Sequence, residues 1–292
     1  MRIIVVVNRG GGSAAGAEQR IGAAFAGTGT DVDLRIVAPG ELDRSCILAA
    51  ATGVDALVAA GGDGTVATAA AAVAGTGLPL GILPMGTLNH FARDAGIPFD
   101  LEAAAAAIAA GRTRRVDAGE ANGRLFVNNV AVGLYPVLVR EREAQRRDLG
   151  RTRRRATLVA AARALWGFSS RRLILRVAGM KAPVETPLLF VGNNKYQTGL
   201  LRLGRRAAID RGELCLYAPL VHGRFAFLWL SLRATLGRPD RQRDFLTMEG
   251  IEECEIESRR PSLMVAMDGE ARLLETPLRF RIRKRAFRLI VP

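Results

Sequence analysis

Aromatic side chains are scarce in this chain, at 5% of 292 residues. A protein that tracks single-stranded nucleic acid needs stacking platforms, so this scarcity argues against that class even though the chain is strongly basic. Cysteine is scarcer still. Cys46, Cys215 and Cys254 are far apart and have no metal-ligand spacing, so neither a zinc site nor a disulfide framework is expected, and the thiols suit a reducing compartment and core positions. Long apolar runs are also missing. Ile3–Val7 is too short for a secretory h-region. Phe225–Leu232, interrupted at Ser231 and followed by Arg233, falls far short of the roughly 20 residues that a bilayer span requires. No internal repeat is found. Acidic residues are outnumbered 42 to 28 by Lys and Arg, giving a net charge of +14 and a pI near 11.1. The surplus favours an anionic partner: nucleotide, membrane headgroups or nucleic acid.

What is present is a regular alternation. Apolar runs at Ile3–Val7, Val32–Val37, Ala56–Ala60 and Leu80–Leu83 read as buried parallel strands. Ala14–Phe25, Leu42–Ala51, Ala67–Ala74, Phe91–Ala95 and Leu101–Ala110 read as the helices between and after them. The pattern predicts an α/β fold with a doubly wound parallel sheet. After Gly111 the texture changes to short strands bounded by turn residues: Arg114–Ala118, Leu125–Val130, Leu173–Val177, Pro187–Gly192, Glu213–Pro219, Leu263–Ala266, Leu278–Arg283 and Phe287–Val291. This predicts a second, mostly antiparallel domain. The expected division is 1–116 for a nucleotide-binding α/β domain, with strands at about 278–292 returning to it, and 117–277 for an antiparallel domain. Two amphipathic candidates stand apart: the arginine-rich Arg140–Arg172, with Leu158, Val159, Ala162, Leu165 and Trp166 at helical spacing, and Phe225–Leu236. Either suits an interfacial helix or a solvated helix covering a sheet.

The chemistry points to Gly61-Gly62-Asp63-Gly64-Thr65-Val66. Strand, glycine turn and helix start together offer backbone N–H groups to a phosphate at the positive end of a helix. A carboxylate repels phosphate, so Asp63 is out of place there unless a divalent cation stands between them. The acid therefore favours a nucleotide–Mg²⁺ site over a plain structural turn. Thr65 adds a hydroxyl at the helix start, where a cap is useful. The loops at Asn8-Arg9-Gly10-Gly11-Gly12 and Pro84–His90 follow parallel strands too, so all three gather at the carboxyl edge where doubly wound sheets bind ligands. Near the C-terminus, Asp268-Gly269-Glu270 places two carboxylates on a tight turn. Alone it is an ordinary hairpin turn. Beside a phosphate-binding edge it supplies the base that phosphoryl transfer to a hydroxyl needs.

Five segments in order carry a resemblance: Gly61-Gly62-Asp63-Gly64-Thr65; Pro84-Met85-Gly86-Thr87-Leu88-Asn89; Phe126-Val127-Asn128 with Gly133; Gly192-Asn193 with Gly199; and Asp268-Gly269-Glu270. Together they resemble the diacylglycerol-kinase catalytic family, in particular the soluble bacterial lipid kinases related to sphingosine and ceramide kinases. The resemblance implies ATP as phosphate donor, cradled by Asn8, Gly10, Gly11, Gly12, Gly61, Gly62, Asp63, Gly64, Thr65, Val66 and Thr87. It implies Mg²⁺ held through a network containing Asp63 and Asp117, and Glu270 as general base, with Asp63 counted beside it as catalytic. It implies a β-sandwich second domain, a lipid substrate entering between the domains, and peripheral work at the cytoplasmic, anionic membrane face. A homodimer remains open, nucleic acid is not implied, and the acceptor lipid is not specified.

The chain departs from the family pattern in three places. His90 stands where many relatives carry an acid, and offers Mg²⁺ no oxygen. Arg211, in Ala208–Glu213, replaces an aspartate that helps bind a structural metal, so that site is expected to be absent or altered, with Asp210 and Glu213 left nearby. Val37-Ala38-Pro39-Gly40 offers no hydroxyl where a nucleotide-contacting threonine usually stands. NAD kinases share the Gly-Gly-Asp-Gly-Thr turn, but the later motifs follow the lipid-kinase pattern. A catalytically inactive lipid- or nucleotide-binding regulator is the reading from another class, kept open by His90 and Arg211.

Overall fold

The computed structural model describes residues 1–292 except 11–15, 150–169, 198–204, 207, 222 and 236–240. The chain forms two units. One contains Met1–Ala118, Arg206–Gly212 and Arg283–Pro292; the other contains Gly119–Arg205 and Glu213–Ile282.

In the first unit, β1 (Arg2–Asn8) lies between β2 (Asp31–Val37) and β3 (Ala56–Gly61), parallel to both; β4 (Pro79–Pro84) follows β3, also parallel. The end of β18 (Leu278–Ile290) pairs in parallel with β4, Arg288 against Pro79. The order β2-β1-β3-β4-β18 reverses direction between β1 and β3, a switch point where doubly wound sheets open a crevice beyond the strand ends. Asn8 and Gly61 end the two strands that flank it. Ile3–Val7 and Ala56–Gly61 are buried throughout, because helices cover both sheet faces and neither face can be polar. α1 (Ala17–Phe25) packs with α5 (Leu101–Ala110), and α2 (Leu42–Ala50) with α3 (Asp63–Val73). Ile21 and Phe25 of α1, and Val66, Ala69, Ala70 and Val73 of α3, are buried. Burying a large branched or aromatic side chain contributes roughly 1.5–3 kcal/mol.

The helix expected at Ala67–Ala74 begins earlier, at Asp63. Gly62 is its extended N-cap, so Asp63, Gly64 and Thr65 form the first helical turn rather than a loop. An acid there is favoured by the helix dipole. Thr65 makes no capping bond; it is buried and fills the space beside Gly61, where a Cβ would collide with its side chain. The expected start of the first helix, Ala14, lies outside the described residues, and the helix there begins at Ala17 behind Gly16.

The second unit is a β-sandwich. One sheet runs β14 (Phe245–Ile251), β13 (Leu214–Pro219), β10 (Leu188–Asn193), β7 (Asn129–Gly133), β16 (Ser262–Met267), β17 (Glu270–Glu275), with antiparallel pairings. The other joins Leu278–Ile282 of β18 to β15 (Glu253–Ser258), β8 (Arg171–Val177) and β9 (Met180–Thr186). Val132, Val191, Leu216 and Val265 of the first sheet share a core with Leu175, Ile256, Leu278 and Phe280 of the second. α6 (Leu134–Leu149) lies on the outer face of the first sheet through Tyr135 and Val139; the Tyr135 and Phe190 rings are 5.6 Å apart. The expected helical stripe at Leu158–Trp166 is outside the described residues.

The strand expected at Leu125–Val130 is broken in two, β6 (Arg124–Phe126) and β7, because Val127 and Asn128 turn their N–H groups to Asp268. The strands expected at Leu278–Arg283 and Phe287–Val291 are one 13-residue strand, within which the unit division falls after Ile282. Another division falls after Ala118, inside β5 (Thr113–Ala121).

Candidate nucleotide site and carboxylate turn

Two glycine-bearing loops of the first unit are locked backbone to backbone. The Gly61 carbonyl accepts the N–H groups of Met85 and Gly86, each at 3.1 Å. A Cβ on Gly86 would run into the Cα of Gly62 and the Asn89 side chain, so only glycine permits this approach. Asn89 closes its own loop: its Oδ1 accepts from Gly86 N at 3.0 Å and its amide donates to Gly86 O at 2.8 Å. It is buried and left-handed, with φ 46°, and starts α4 (His90–Asp94) without capping it.

The cap comes from Asp63. Its Oδ2 accepts the His90 N–H at 3.1 Å and its Oδ1 the Phe91 N–H at 2.9 Å. Asp63 therefore sits at the positive ends of two helices, α3 and α4, where negative charge is stabilised. Each carboxylate oxygen carries a second lone-pair direction, so a cation bridging to phosphate remains compatible with the donor set. His90 contributes its backbone N–H to this arrangement.

The amides of Gly64 and Thr65, in the first turn of α3, have no acceptor within the helix. Val66 differs. Its N–H is bonded to Gly62 O at 3.1 Å and its side chain is buried, so it supports the turn from below. Thr87 is exposed. Asn8 Oδ1 accepts Gly10 N at 3.0 Å, and a Cβ on Gly10 would strike Pro39. Gly11 and Gly12 lie outside the described residues.

Asp117 occupies a different setting. It is buried, and its oxygens accept from Gly212 N at 2.6 Å and Arg285 N at 2.8 Å, while its own N–H donates to Ile209 O at 2.9 Å. It ties the Arg206–Gly212 segment and the end of β18 to β5. The acids flanking Arg211 are engaged by protein groups: Asp210 pairs with Arg114 at 2.6 Å, and Glu213 accepts the Gly250 N–H at 3.0 Å. Among the described residues no group of three His, Cys, Asp or Glu could hold a metal. A structural metal in this loop does not fit these donors. A phosphate-bridging ion needs only one or two carboxylates, which Asp63 can supply.

In the second unit, Asp268 (φ 49°) and Gly269 (φ 86°) form the two-residue turn between β16 and β17, the left-handed pair that a type I′ hairpin demands. Asp268 points inward and accepts the N–H groups of Val127, Asn128 and Asn129 at 2.8, 2.7 and 3.2 Å. It is the structural acid of the pair. Glu270 opens β17, half exposed, with its oxygen 2.9 Å from the Arg272 guanidinium.

A pair missed by sequence reading lies beside α4. Arg206 and Asp94 form a buried ion pair at 2.7 Å, side chains 0% and 3% exposed, with the guanidinium 5.4 Å from the Phe91 ring centre. The partners are 112 residues apart; no local signal links them.

The first unit is thus a doubly wound parallel sheet whose glycine loops after β3 and β4 are interlocked. Residues 2–121 match the family model for the diacylglycerol kinase catalytic domain. A probable lipid kinase YegS-like from Pseudomonas aeruginosa is 48% identical over 96 residues, 32% of each chain. A diacylglycerol kinase from Mycobacterium tuberculosis is 44% identical over 94 residues, 31% of this chain and 30% of that one. The matched stretch thus spans about a third of the curated relatives. Solved structures extend the likeness of fold to the whole chain. A diacylglycerol kinase from Bacillus anthracis str. Sterne has TM-score 0.68 at 22% identity, covering 100% of this chain and 97% of that one. A second structure from the same organism reaches 0.77 at 22% identity, covering 100% and 95%.

Proposed function

We propose that this chain is an ATP- and Mg²⁺-dependent lipid kinase that phosphorylates a hydroxyl of diacylglycerol or a similar lipid at an anionic membrane surface. The observation that carries the reading is the lock of the Gly61–Thr65 and Pro84–Asn89 motifs through the Gly61 carbonyl, with Asp63 capping the helix that follows. It brings together helix-start amides, an exposed Thr87 hydroxyl and one carboxylate, as a bridged nucleotide phosphate requires. Gly64, Thr65 and Thr87 donate to phosphate oxygens, and Asn8 with Gly10 shapes the neighbouring loop. Bound Mg²⁺ would neutralise β,γ-phosphate charge, with Asp63 as its protein partner.

In the transfer, the lipid hydroxyl oxygen forms the new bond to the γ-phosphorus as the bond to the β,γ-bridging oxygen breaks. The hydroxyl proton passes to Glu270, and ADP departs. Asp117, the second acid of the proposed Mg²⁺ network, also clamps the Arg206–Gly212 segment and the end of β18 through backbone N–H groups. The test is transfer of labelled phosphate from ATP to a total lipid extract, with mass identification of the product. A labelled lipid appearing only with divalent cation is expected. No labelled lipid from any acceptor, with ATP bound, would overturn the assignment in favour of an inactive binding protein.

A further inference from the structure

In the second unit, α7 (Arg224–Thr235) carries apolar side chains on opposite sides. One side is packed: Leu230 is 3% exposed and Phe227 half-buried. The other is open to solvent, with Phe225 74%, Leu228 42%, Trp229 62% and Leu232 51% exposed. These four follow the i, i+3, i+4, i+7 spacing of a single helical stripe. At roughly 100° per residue they share an arc of about 100°, which Arg224 and Arg233 border on its two sides. Arg224 lies over the Phe225 ring at 5.1 Å and Arg233 is held by Asp244 at 3.0 Å. No acidic residue occurs from 214 to 239.

We infer that this stripe is a docking face for an anionic lipid bilayer, entered edge-on by α7 lying in the membrane plane. The inference rests on the lipid-kinase reading for its biological sense and on the helix alone for its physics. Large exposed apolar patches mark interaction sites, and a Trp and Phe stripe bordered by Arg224 and by Arg233, the latter paired with Asp244, matches the headgroup–acyl boundary. Twelve residues span only about 18 Å, too short to cross, and no helix among the described residues is long and apolar enough to do so. A second copy fits less well: facing stripes would bring like-charged arginine rims together on a chain of net charge +14.

The test uses the full chain with Trp166→Phe, which leaves Trp229 as the sole tryptophan. Without vesicles, Trp229 emission is expected to be quenched freely by acrylamide. With vesicles containing phosphatidylglycerol it should shift to the blue and become protected, and with pure phosphatidylcholine far less. Phe225→Ser and Leu232→Ser should each weaken sedimentation with anionic vesicles by about tenfold or more, by loss of buried apolar area. The surface substitution Arg272→Ser, in the same unit, should not. Equal binding by the stripe variants overturns the inference. So does Trp229 already protected without vesicles, or a dimer that dissociates when the stripe is changed. Sedimentation needs no turnover, so a protein that binds vesicles through α7 but transfers no phosphate would overturn the kinase reading and leave the docking face intact.

Discussion

The Asp63 carboxylate accepts the backbone N–H of Phe91, 28 residues away, at 2.9 Å, and so caps a helix it does not belong to. Removing it should do two things at once. Asp63→Ala should lower stability by about 1 kcal/mol, the usual value of a helix cap, and abolish transfer. Asp63→Asn keeps an acceptor but no charge; it should lose less stability and still fail to transfer phosphate. Urea midpoints read the first effect and the lipid assay the second. An active Asn variant would restrict Asp63 to capping.

Gly86→Ala places a methyl group against the Cα of Gly62. Because the obstacle is backbone, the loops must part, at a cost of about 1–3 kcal/mol. ATP affinity by calorimetry should fall at least as steeply, since the donors are displaced.

Arg206→Met leaves Asp94 charged and buried. Breaking such a pair costs about 3–5 kcal/mol, whereas replacing both partners is often neutral. The double variant Arg206→Met, Asp94→Leu should therefore unfold at a higher urea concentration than the single variant. The reverse order would mean the guanidinium acts mainly through Phe91.

Glu270→Gln should reduce kcat by roughly 10²- to 10⁴-fold, the range for a lost general base, with ATP affinity unchanged. Its ion pair with Arg272 is exposed, and such pairs contribute about 0–1 kcal/mol, so the melting temperature should barely move. A large drop in stability would make Glu270 structural instead.

The three thiols should be inert in the folded protein. Burial pushes Cys46 and Cys254 up to about 12 and Cys215 to about 11 from an ordinary 9.0. Disulfide-exchange reagents at pH 8 should modify none of them until denaturant is added, because the thiolate is the reactive form. The raised values also fix the sign of a pH effect. The folded state holds protons that the unfolded chain has lost, so this contribution to stability is present below pH 9 and declines as pH rises towards 12. A thiol reacting readily at pH 8 in the native state would contradict its burial.

Amino-acid order alone determined the parallel strands of the first unit, since Ile3–Val7 and Ala56–Ala60 are apolar enough to admit only two-sided burial. The glycines at 61, 62 and 64 were legible for the same kind of reason: a missing side chain announces a close approach. Strands β9, β14, β15 and β17 gave no such signal. They carry charged or polar residues on a solvated face, as in Glu253–Ser258, and charge alternation is also what loops show. What the close approach was to, only the tertiary structure decided. It placed Gly86 on Gly62, set Asp63 beneath α4, turned Asp268 inward while leaving Glu270 at the surface, and buried Arg206 against Asp94. Each of these depends on groups tens of residues apart meeting at hydrogen-bond distance, and a linear pattern encodes periodicity, not which distant backbone N–H a carboxylate will find.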